Sequence, residues 1–203
     1  MWPLSNKPVG YHGRVRDGEA TRRRLLDAAV AEFAAHGVAG ARVDRIAAAA
    51  RANKAQLYAY FGSKEKLFDT VLWDRVERNV DSVPLTGDDL PGYATRLYDA
   101  YLEDPELIRL ATWARLERVP EGDLFAHVEG HYADKLAVIA QAQRDGRIAA
   151  DLTPLDLHSM VIALAMTWSP ASITIAAGRQ EDESVHTRRK QALAATVRRA
   201  FAP

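Results

Sequence analysis

The stretch from Val43 to Phe61, VDRIAAAARANKAQLYAYF, contains two short helical patterns that are separated by a very brief break. In its second half, Asn53 can cap a new helix, and Leu57 and Phe61 lie four residues apart on the face that this helix would bury. In its first half, apolar residues recur at helical spacing and form one stripe. These are Val43, Ile46, Ala47 and Ala50. The stretch therefore predicts a helix-turn-helix.

The second of these helices would expose a cation, an amide and two phenols, and no carboxylate. Such a surface suits the major groove, because an amide can pair with adenine edges while ammonium and phenol groups can reach phosphates. We predict that Gln56 is the main reader of bases and that Lys54 and Tyr60 make mixed base and phosphate contacts. Asn53, Tyr58 and Lys64 are predicted to hold the helix in position on the DNA.

The run Leu57 to Phe68, LYAYFGSKEKLF, resembles the signature of the TetR family of bacterial transcription regulators. In that family the recognition helix typically reads L-Y-x-[HY]-F and runs into [GKP]-[SN]-K-E-x-L. The resemblance covers roughly residues 20–70, about a quarter of the chain. It implies an all-α protein, with an amino-terminal three-helix helix-turn-helix domain followed by a larger helical domain for ligand binding and dimerisation. It also implies a repressor that a small molecule releases from its operator.

Three positions depart from the family pattern. Ala41 and Arg42 stand where Thr or Ser usually begins the second helix, and the missing hydroxyl cap costs about 1 kcal/mol unless Gly40 substitutes. Arg51 stands where Gly usually occupies the turn, so it is expected to adopt a positive φ at a cost of about 1 kcal/mol. Gln56 stands where a small hydroxyl residue is common. We predict that Arg42 and Arg51 add phosphate contacts.

Charge is distributed unevenly along a chain whose net charge is zero. Residues 1–66 hold twelve Lys or Arg and six Asp or Glu, a net charge of +6, and residues 67–203 carry the opposite excess. The basic part coincides with the helix-turn-helix, as expected for a nucleic-acid-binding protein. The chain has no cysteine, which excludes disulfides and thiolate catalysis. No apolar run is long enough for a membrane span or a signal peptide, so we expect a cytoplasmic protein without a membrane partner.

The pattern of glycines, prolines and apolar residues divides the chain into three parts. Residues 1–18 are predicted to be a flexible basic arm, 19–66 the helix-turn-helix domain, and 67–203 the ligand-binding and dimerisation domain. A first helix is predicted over 19–36, ended by Gly37 in a left-handed conformation. Three arginines, Arg22 to Arg24, then fall in its first turn, where they either meet phosphate or form a solvated face.

The rest of the chain is predicted to be helical throughout. Ser63 caps a fourth helix that ends near residue 79, and a loop over 81–91 follows. Asp104 with Pro105, and Thr153 with Pro154, are capping pairs that begin later helices. Further helices are predicted over 91–103, 104–118, 124–145, 154–168 and 184–201.

Aromatic and sulfur-containing side chains recur at helical positions in the second half of the chain. Each of them is more often a core residue than a ligand contact, but together they are expected to line an apolar pocket for a small molecule. The resemblance implies such an inducer pocket. We predict Trp113 and Trp168 as its main lining, with His158 or Tyr132 as a polar group. The complete predicted set is Tyr98, Trp113, Phe125, Tyr132, His158, Met166 and Trp168.

One helix reads only a few base pairs, so helix-turn-helix proteins usually pair to engage two half-sites. The resemblance implies a homodimer formed through a four-helix bundle, here through roughly residues 154–168 and 184–201. Apolar stripes on both segments permit this interface, although packing within one chain would give the same pattern.

Two other classes of function remain open from the sequence. His127 and His131 lie four residues apart, a spacing that lets two imidazoles face one metal ion, but no third ligand is near them in sequence. A metal-dependent enzyme is therefore the less favoured alternative, and motifs of other enzyme classes are missing. A sequence-nonspecific DNA-binding or architectural protein would share the basic half. We predict a regulator that is not an enzyme and uses no cofactor.

Overall fold

The computed structural model describes residues 11–125 and 133–203, with side chains described from residue 18 onward. Every regular element in these ranges is a helix, so the predicted all-α class is confirmed. The chain forms two compact units that divide between Val71 and Leu72. Among the described residues, no helix is long and apolar enough to cross a membrane.

The first unit contains helices α1 (Tyr11–Gly40), α2 (Val43–Ala49) and α3 (Lys54–Phe61) and the beginning of α4 (Lys64–Ser82). The rings of Phe33 and Phe68 meet edge to face in its core, with centroids 5.2 Å apart. Burial of these apolar side chains, rather than the helix propensity of α2 and α3, holds such short helices in place. The completely buried residues include Leu25, Ala29, Phe33, Ile46, Leu57, Leu67 and Phe68.

Helix α1 begins at Tyr11, so the expectation of an irregular arm over residues 1–18 is wrong for residues 11–18. Residues 1–10 lie outside the described residues. Glycine within a helix costs only about 1 kcal/mol, and Gly18 has a local reason to be small. A Cβ atom at Gly18 would lie 3.2 Å from the Tyr60 hydroxyl. Glycine therefore lets α1 pass close to α3.

The three arginines of α1 consequently lie inside the helix rather than in its first turn, and two of them have local partners. The Nε of Arg24 donates to the carbonyl oxygen of Ala50 at 3.0 Å, at the carboxyl end of α2. The guanidinium of Arg22 lies over the Phe61 ring, 5.5 Å from its centroid. These contacts tie α1 to α2 and α3, which the sequence pattern did not predict.

Two backbone predictions in the first unit are confirmed. Gly37 has the predicted positive φ, 70°, and interrupts α1, although its ψ of −175° lies outside the left-handed α region and is accessible mainly to glycine. Arg51, in the turn between α2 and α3, has a φ of 52°. A non-glycine residue in this conformation is strained by roughly 1 kcal/mol.

Replacing Arg51 with Gly should therefore stabilise the first unit by about 0.5–1 kcal/mol, because glycine adopts a positive φ without steric cost. Urea unfolding followed by circular dichroism measures this difference. Exposed Ala49, in the last turn of α2, provides the control. Ala49→Gly should destabilise the protein by a similar amount, since glycine weakens a helix. A lower stability of Arg51→Gly would contradict the strain at this turn.

The second unit contains α5 (Leu90–Glu103), α6 (Pro105–Glu117), α7 (Ala133–Arg144), α8 (Pro154–Ala165), a 3-10 turn (Met166–Trp168) and α9 (Glu183–Ala200). Helix α5 packs against α6, α8 and α9, and α8 also packs against α7. The predicted caps are confirmed, because the Asp104 side chain accepts the backbone N–H of Leu107 and Thr153 accepts that of Asp156.

The helix predicted over 124–145 differs at its beginning. Leu124 and Phe125 lie in a turn, where the backbone N–H of Phe125 donates to the Asp123 carboxylate at 2.8 Å. Residues 126–132 lie outside the described residues, and α7 is described from Ala133. An aspartate that binds the backbone two residues ahead favours a turn over a helix, which explains the difference. The predicted end is confirmed by Gly146, whose φ is 67°.

Candidate nucleic-acid interface and effector cavity

Helix α3 begins with a reciprocal pair of hydrogen bonds between Asn53 and Gln56. The backbone N–H of Gln56 donates to Asn53 Oδ1 at 2.9 Å, and the backbone N–H of Asn53 donates to Gln56 Oε1 at 3.1 Å. This is a capping box, which satisfies two backbone donors at the amino end of a helix. The cap at Asn53 was predicted, but the return bond from Gln56 was not.

The return bond restricts how Gln56 can contact a base. Its amide oxygen already accepts one hydrogen bond in the cap, so the NH₂ group is the part of the side chain that can contact a base most freely. A bidentate contact to adenine uses both ends of the amide, so the predicted adenine pairing would require the Gln56 oxygen to accept a second hydrogen bond beside the one in the cap. With the cap intact, the NH₂ group suits a base that presents acceptors, such as guanine with its N7 and O6 atoms.

The exposed face of α3 also carries two phenols and an ammonium group. Tyr58 and Tyr60 are 46% and 40% exposed, which is high for aromatic side chains. The Lys54 ammonium lies 2.6 Å from the Asp44 carboxylate of α2. This ion pair partly neutralises a predicted DNA contact. Helical periodicity could not reveal the pair, because it joins two helices across the turn.

At the start of α2 the hydroxyl cap is missing, and Glu32 of α1 instead binds the backbone N–H of the N-cap residue, Arg42. The backbone N–H of Arg42 donates to Glu32 Oε1 at 2.8 Å, and Arg45 Nε donates to the same oxygen at 2.8 Å. Burial alone would raise the pKa of the Glu32 carboxyl, but these hydrogen bonds outweigh it and hold that pKa below its usual value. The Arg42 side chain makes no capping bond and is exposed.

Lys64 lies at the amino end of α4, after Ser63, whose hydroxyl accepts the backbone N–H of Lys66. The Lys64 ammonium is 3.3 Å from the carbonyl oxygen of Ala41 and 3.4 Å from that of Ala39. It thus ties α4 to the connection between α1 and α2. Its predicted contact with the DNA backbone remains a prediction, and the structure adds a local role that the sequence did not suggest.

A first cavity of about 610 Å³ lies within the second unit. Its wall is mainly apolar, which is typical of sites for small molecules. Of the predicted ligand contacts, Phe125, His158 and Met166 line it. Trp113 lines neither this cavity nor the second one described below, and Tyr132 lies outside the described residues. Trp113 and Trp168 were predicted together as the main lining of one pocket. The structure brings them together in neither cavity.

The first cavity contains a polar cluster around Tyr93. Its hydroxyl lies 3.0 Å from Nε2 of His158, and the Lys135 ammonium lies over its ring, 5.0 Å from the centroid. Lys135 also donates to the carbonyl oxygen of Val83 at 2.6 Å. Burial raises the pKa of the Tyr93 phenol and lowers the pKa of Lys135. A ligand in this cavity would meet these hydrogen-bonding groups within a mainly apolar wall.

Tyr93 and Lys135 line the first cavity but were not among the residues predicted from the sequence to contact a ligand. Tyr93 lies four residues before Leu97 and eight before Tyr101 on α5, and all three line the cavity. That helical spacing was a signal from which Tyr93 could have been found. No local pattern marks Lys135, because its hydrogen-bond partners lie more than fifty residues away in sequence.

A second cavity, of about 490 Å³, also lies within the second unit and contains the remaining predicted contacts, Tyr98 and Trp168. Their rings meet edge to face at 6.0 Å. Tyr101 lines both cavities, so the residues predicted for one pocket are divided between two adjoining spaces.

The metal alternative rests on His127 and His131, which lie outside the described residues. Within residues 11–125 and 133–203, no group of three or more His, Asp or Glu side chains could hold a metal ion.

Two family models match the chain. Residues 25–71 match the model for bacterial regulatory proteins of the tetR family, and residues 89–199 match a tetracyclin repressor-like carboxy-terminal domain. The first match covers the helix-turn-helix of the first unit. The second covers α5 to α9, which contain most of the lining of both cavities.

Individual relatives agree with these models. The chain is 45% identical over 151 residues to the HTH-type transcriptional repressor SCO4008 of Streptomyces coelicolor, covering 74% of this chain and 79% of that protein. The chain is also 44% identical over 59 residues to the HTH-type transcriptional repressor NicS of Pseudomonas putida. This shorter match covers 29% of this chain and 28% of that protein. The solved structure of SCO4942 from Streptomyces coelicolor, described as a transcriptional regulator, superposes with a TM-score of 0.74 at 42% identity. It covers 89% of this chain and 98% of that one.

Proposed function

The chain belongs to the tetR family of bacterial regulatory proteins and is a DNA-binding transcription regulator, and from this premise we propose that it is a homodimeric repressor. Its first unit binds a near-palindromic operator in the cytoplasm. A small apolar or amphipathic molecule enters the first cavity of the second unit and weakens that binding. The two relatives named as repressors support the direction of control.

The exposed face of α3 is the observation that best supports the proposed reading of DNA. It presents the Gln56 amide, Tyr58 and Tyr60, on a helix whose amino end is fixed by a complete capping box. A rigid recognition helix loses little conformational freedom on binding, which favours sequence reading. We propose that Gln56 reads a base and that Arg42, Arg51, Asn53, Lys54, Tyr58, Tyr60 and Lys64 contact phosphates or position the helix.

Lys54 and Arg51 would contribute differently to this interface. In the free protein the Lys54 ammonium lies 2.6 Å from the Asp44 carboxylate. When DNA is bound, Lys54 would therefore interact with both Asp44 and a phosphate. The exposed side chain of Arg51 is projected by a backbone in the left-handed region. We propose that this conformation directs its guanidinium at the DNA backbone next to the recognition helix.

Dimer formation is proposed through α8 and α9, within residues 154–168 and 184–201. Leu155 and Met160 on α8 are 45% and 46% exposed, so apolar surface is available there. A second copy would bury it and would bring two recognition helices to two half-sites. An effector would act by favouring a dimer geometry that fits the operator poorly. This requires the effector to bind that geometry more tightly than the geometry that fits the operator.

Footprinting of the DNA that flanks the protein's own gene tests this proposal, with and without a panel of apolar and amphipathic compounds. A repressor of this kind protects a near-palindromic site and loses that protection with at least one compound. Uniform binding along the DNA would instead favour the sequence-nonspecific alternative. Stoichiometric bound metal that is lost on replacing His127 or His131 would favour the enzyme alternative.

Filling the first cavity should block its occupation. Ala111 on α6 lines this cavity, and Ala111→Trp places a large ring in the space. We expect the affinity for the neutral apolar dye Nile red to fall at least about tenfold, since the ring displaces the apolar contacts of the dye. Dye fluorescence measures this. Ala137→Trp, at an exposed position of α7, is the matched control. Equal affinities of the two variants would place the dye elsewhere.

A further inference from the structure

The second cavity has features of a binding site that the proposed repressor function does not use. It is enclosed by parts of α5 and α6, the end of α8, the 3-10 turn and the segment 169–180. Its volume of about 490 Å³ is within the range of small-molecule sites. Tyr98, Tyr101 and Trp168 supply an aromatic surface, and two arginines, Arg109 and Arg179, are the charged residues of its described lining.

The two arginines carry charge that the protein leaves uncompensated. Arg179 uses its Nε to donate to the carbonyl oxygen of Leu102 at 2.8 Å, and its two terminal nitrogens have no partner among the described residues. Arg109 forms no hydrogen bond or ion pair with any residue that the structure describes. Asp and Glu are missing from the described lining. The site is therefore electrostatically suited to an anion.

The first cavity differs in this respect. Its described lining includes both signs of charge, with Arg115 and Lys135 opposed by Asp123 and Asp156. Backbone carbonyls also engage its two cations, since Arg115 donates to Val119 and Gly122, and Lys135 to Val80 and Val83. The two cavities are thus expected to select ligands of different charge.

The aromatic wall of the second cavity is held in place by its neighbours. The Arg189 guanidinium lies over the Trp168 ring, 5.7 Å from its centroid, and Tyr98 contacts the same ring edge to face. The Tyr98 hydroxyl lies 2.7 Å from Nδ1 of His186 on α9. Because these rings are fixed before any ligand arrives, a planar ligand loses less free energy in ordering the site.

The segment that forms the other wall is fixed as well. The backbone N–H of Ala177 donates to the carbonyl oxygen of Trp168 at 2.7 Å, and that of Gly178 donates to the Glu181 carboxylate at 2.6 Å. Glu181 also pairs with Arg189 at 2.9 Å. The nearby carboxylate is therefore already neutralised and would not repel an anion from the site.

We propose that the second cavity is a separate binding site for a planar aromatic anion, such as an aromatic carboxylate. The acidic group pairs with the guanidinium groups of Arg109 and Arg179, and the ring lies against Tyr98 and Trp168. Arginine suits this role because its planar donors match a carboxylate. The proposal concerns ligand binding by the second unit and does not depend on the repressor function.

Calorimetric titration of the full chain with 1-naphthoate tests the proposal, with the uncharged 1-naphthylmethanol as the matched ligand. We expect one naphthoate per chain, with 1-naphthylmethanol bound at least about tenfold more weakly. Arg109→Gln should weaken naphthoate binding at least about tenfold, the lower end of the range for a charge-assisted hydrogen bond. Arg179→Gln should have a comparable effect.

Two controls locate the bound ligand. Arg144→Gln removes an exposed arginine of α7 outside the lining of both cavities, and Ala111→Trp fills the first cavity. Both should leave naphthoate affinity within about twofold of the original, as expected for changes that do not touch the site. Equal binding of naphthoate and naphthylmethanol by Ala111→Trp, in which the first cavity is filled, would overturn the proposal. It would also be overturned by loss of binding in Ala111→Trp, or by no detectable binding at millimolar ligand.

Discussion

Replacing Phe33 with alanine should unfold the helix-turn-helix unit, at a cost of about 3–5 kcal/mol. Phe33 on α1 is completely buried, and its ring meets Phe68 edge to face at 5.2 Å. The short helices α2 and α3 depend on this core because helices of seven or eight residues are not stable alone. A loss of this size is a large fraction of the stability of an ordinary domain.

Tyr58→Ala is the matched control, because it removes an aromatic ring from an exposed position of α3. It should change stability by less than about 0.5 kcal/mol, as surface substitutions usually do, and should weaken DNA binding. Hydrogen exchange of the α2 and α3 amides distinguishes the two variants. We expect lost protection in Phe33→Ala and retained protection in Tyr58→Ala. Full protection in Phe33→Ala would contradict the described core.

The second large effect is expected at Gln56, where a pair of substitutions separates helix capping from base reading. Gln56→Glu keeps an oxygen that can accept the Asn53 backbone N–H, since Glu also completes a capping box. It removes the NH₂ donor and directs a negative charge at the DNA. We expect stability to be unchanged within about 0.5 kcal/mol, while operator affinity falls by at least about 1–3 kcal/mol, the value of a specific base contact.

Gln56→Ala removes both functions. It should destabilise the first unit by about 0.5–2 kcal/mol, the usual cost of a lost cap, and should relax preference at particular base pairs by about 1–3 kcal/mol. Binding to a set of single-base operator variants measures this preference. An equal loss on every variant, or full operator affinity in Gln56→Glu, would remove Gln56 as a base reader.

The features that the sequence predicted are those decided by neighbouring residues. Gly37 and Arg51 were predicted to have a positive φ because a helix end and a tight turn require it, and both have it. Asn53 was predicted as a cap because its side chain can accept a backbone N–H only three residues later, and it does so at Gln56. Such local requirements are visible in a few consecutive residues.

The features that were missed depend on contacts between distant residues. Glu32 binds the backbone at the start of α2 from another helix, and Lys64 binds carbonyl groups more than twenty residues earlier. Helical periodicity indicates which face is buried but not which side chains meet across two helices. The irregular arm was predicted from glycines, although residues 11–18 are helical and Gly18 lies close to Tyr60.

The residues that line the ligand cavity were likewise only partly predictable from the sequence. Aromatic composition predicted that an apolar cavity would exist, and the structure contains one of about 610 Å³. Composition could not assign side chains to it, because Tyr98 and Trp168 face a second cavity. Positions five residues apart lie on different faces of a helix, so Tyr93 and Tyr98 on α5 line different cavities.

We propose above all that the first unit reads operator DNA through α3 while its basic groups contact phosphates. Fluorescence anisotropy tests it most directly, with the footprinted duplex and a scrambled duplex of equal composition, each at about 50 and 200 mM salt. We predict that the operator binds at least about a thousandfold more tightly than the scrambled duplex at the higher salt. Both affinities should fall at least about a hundredfold across this range, as expected for four or more phosphate contacts per dimer. Affinities that depend on neither salt nor sequence would contradict the claim.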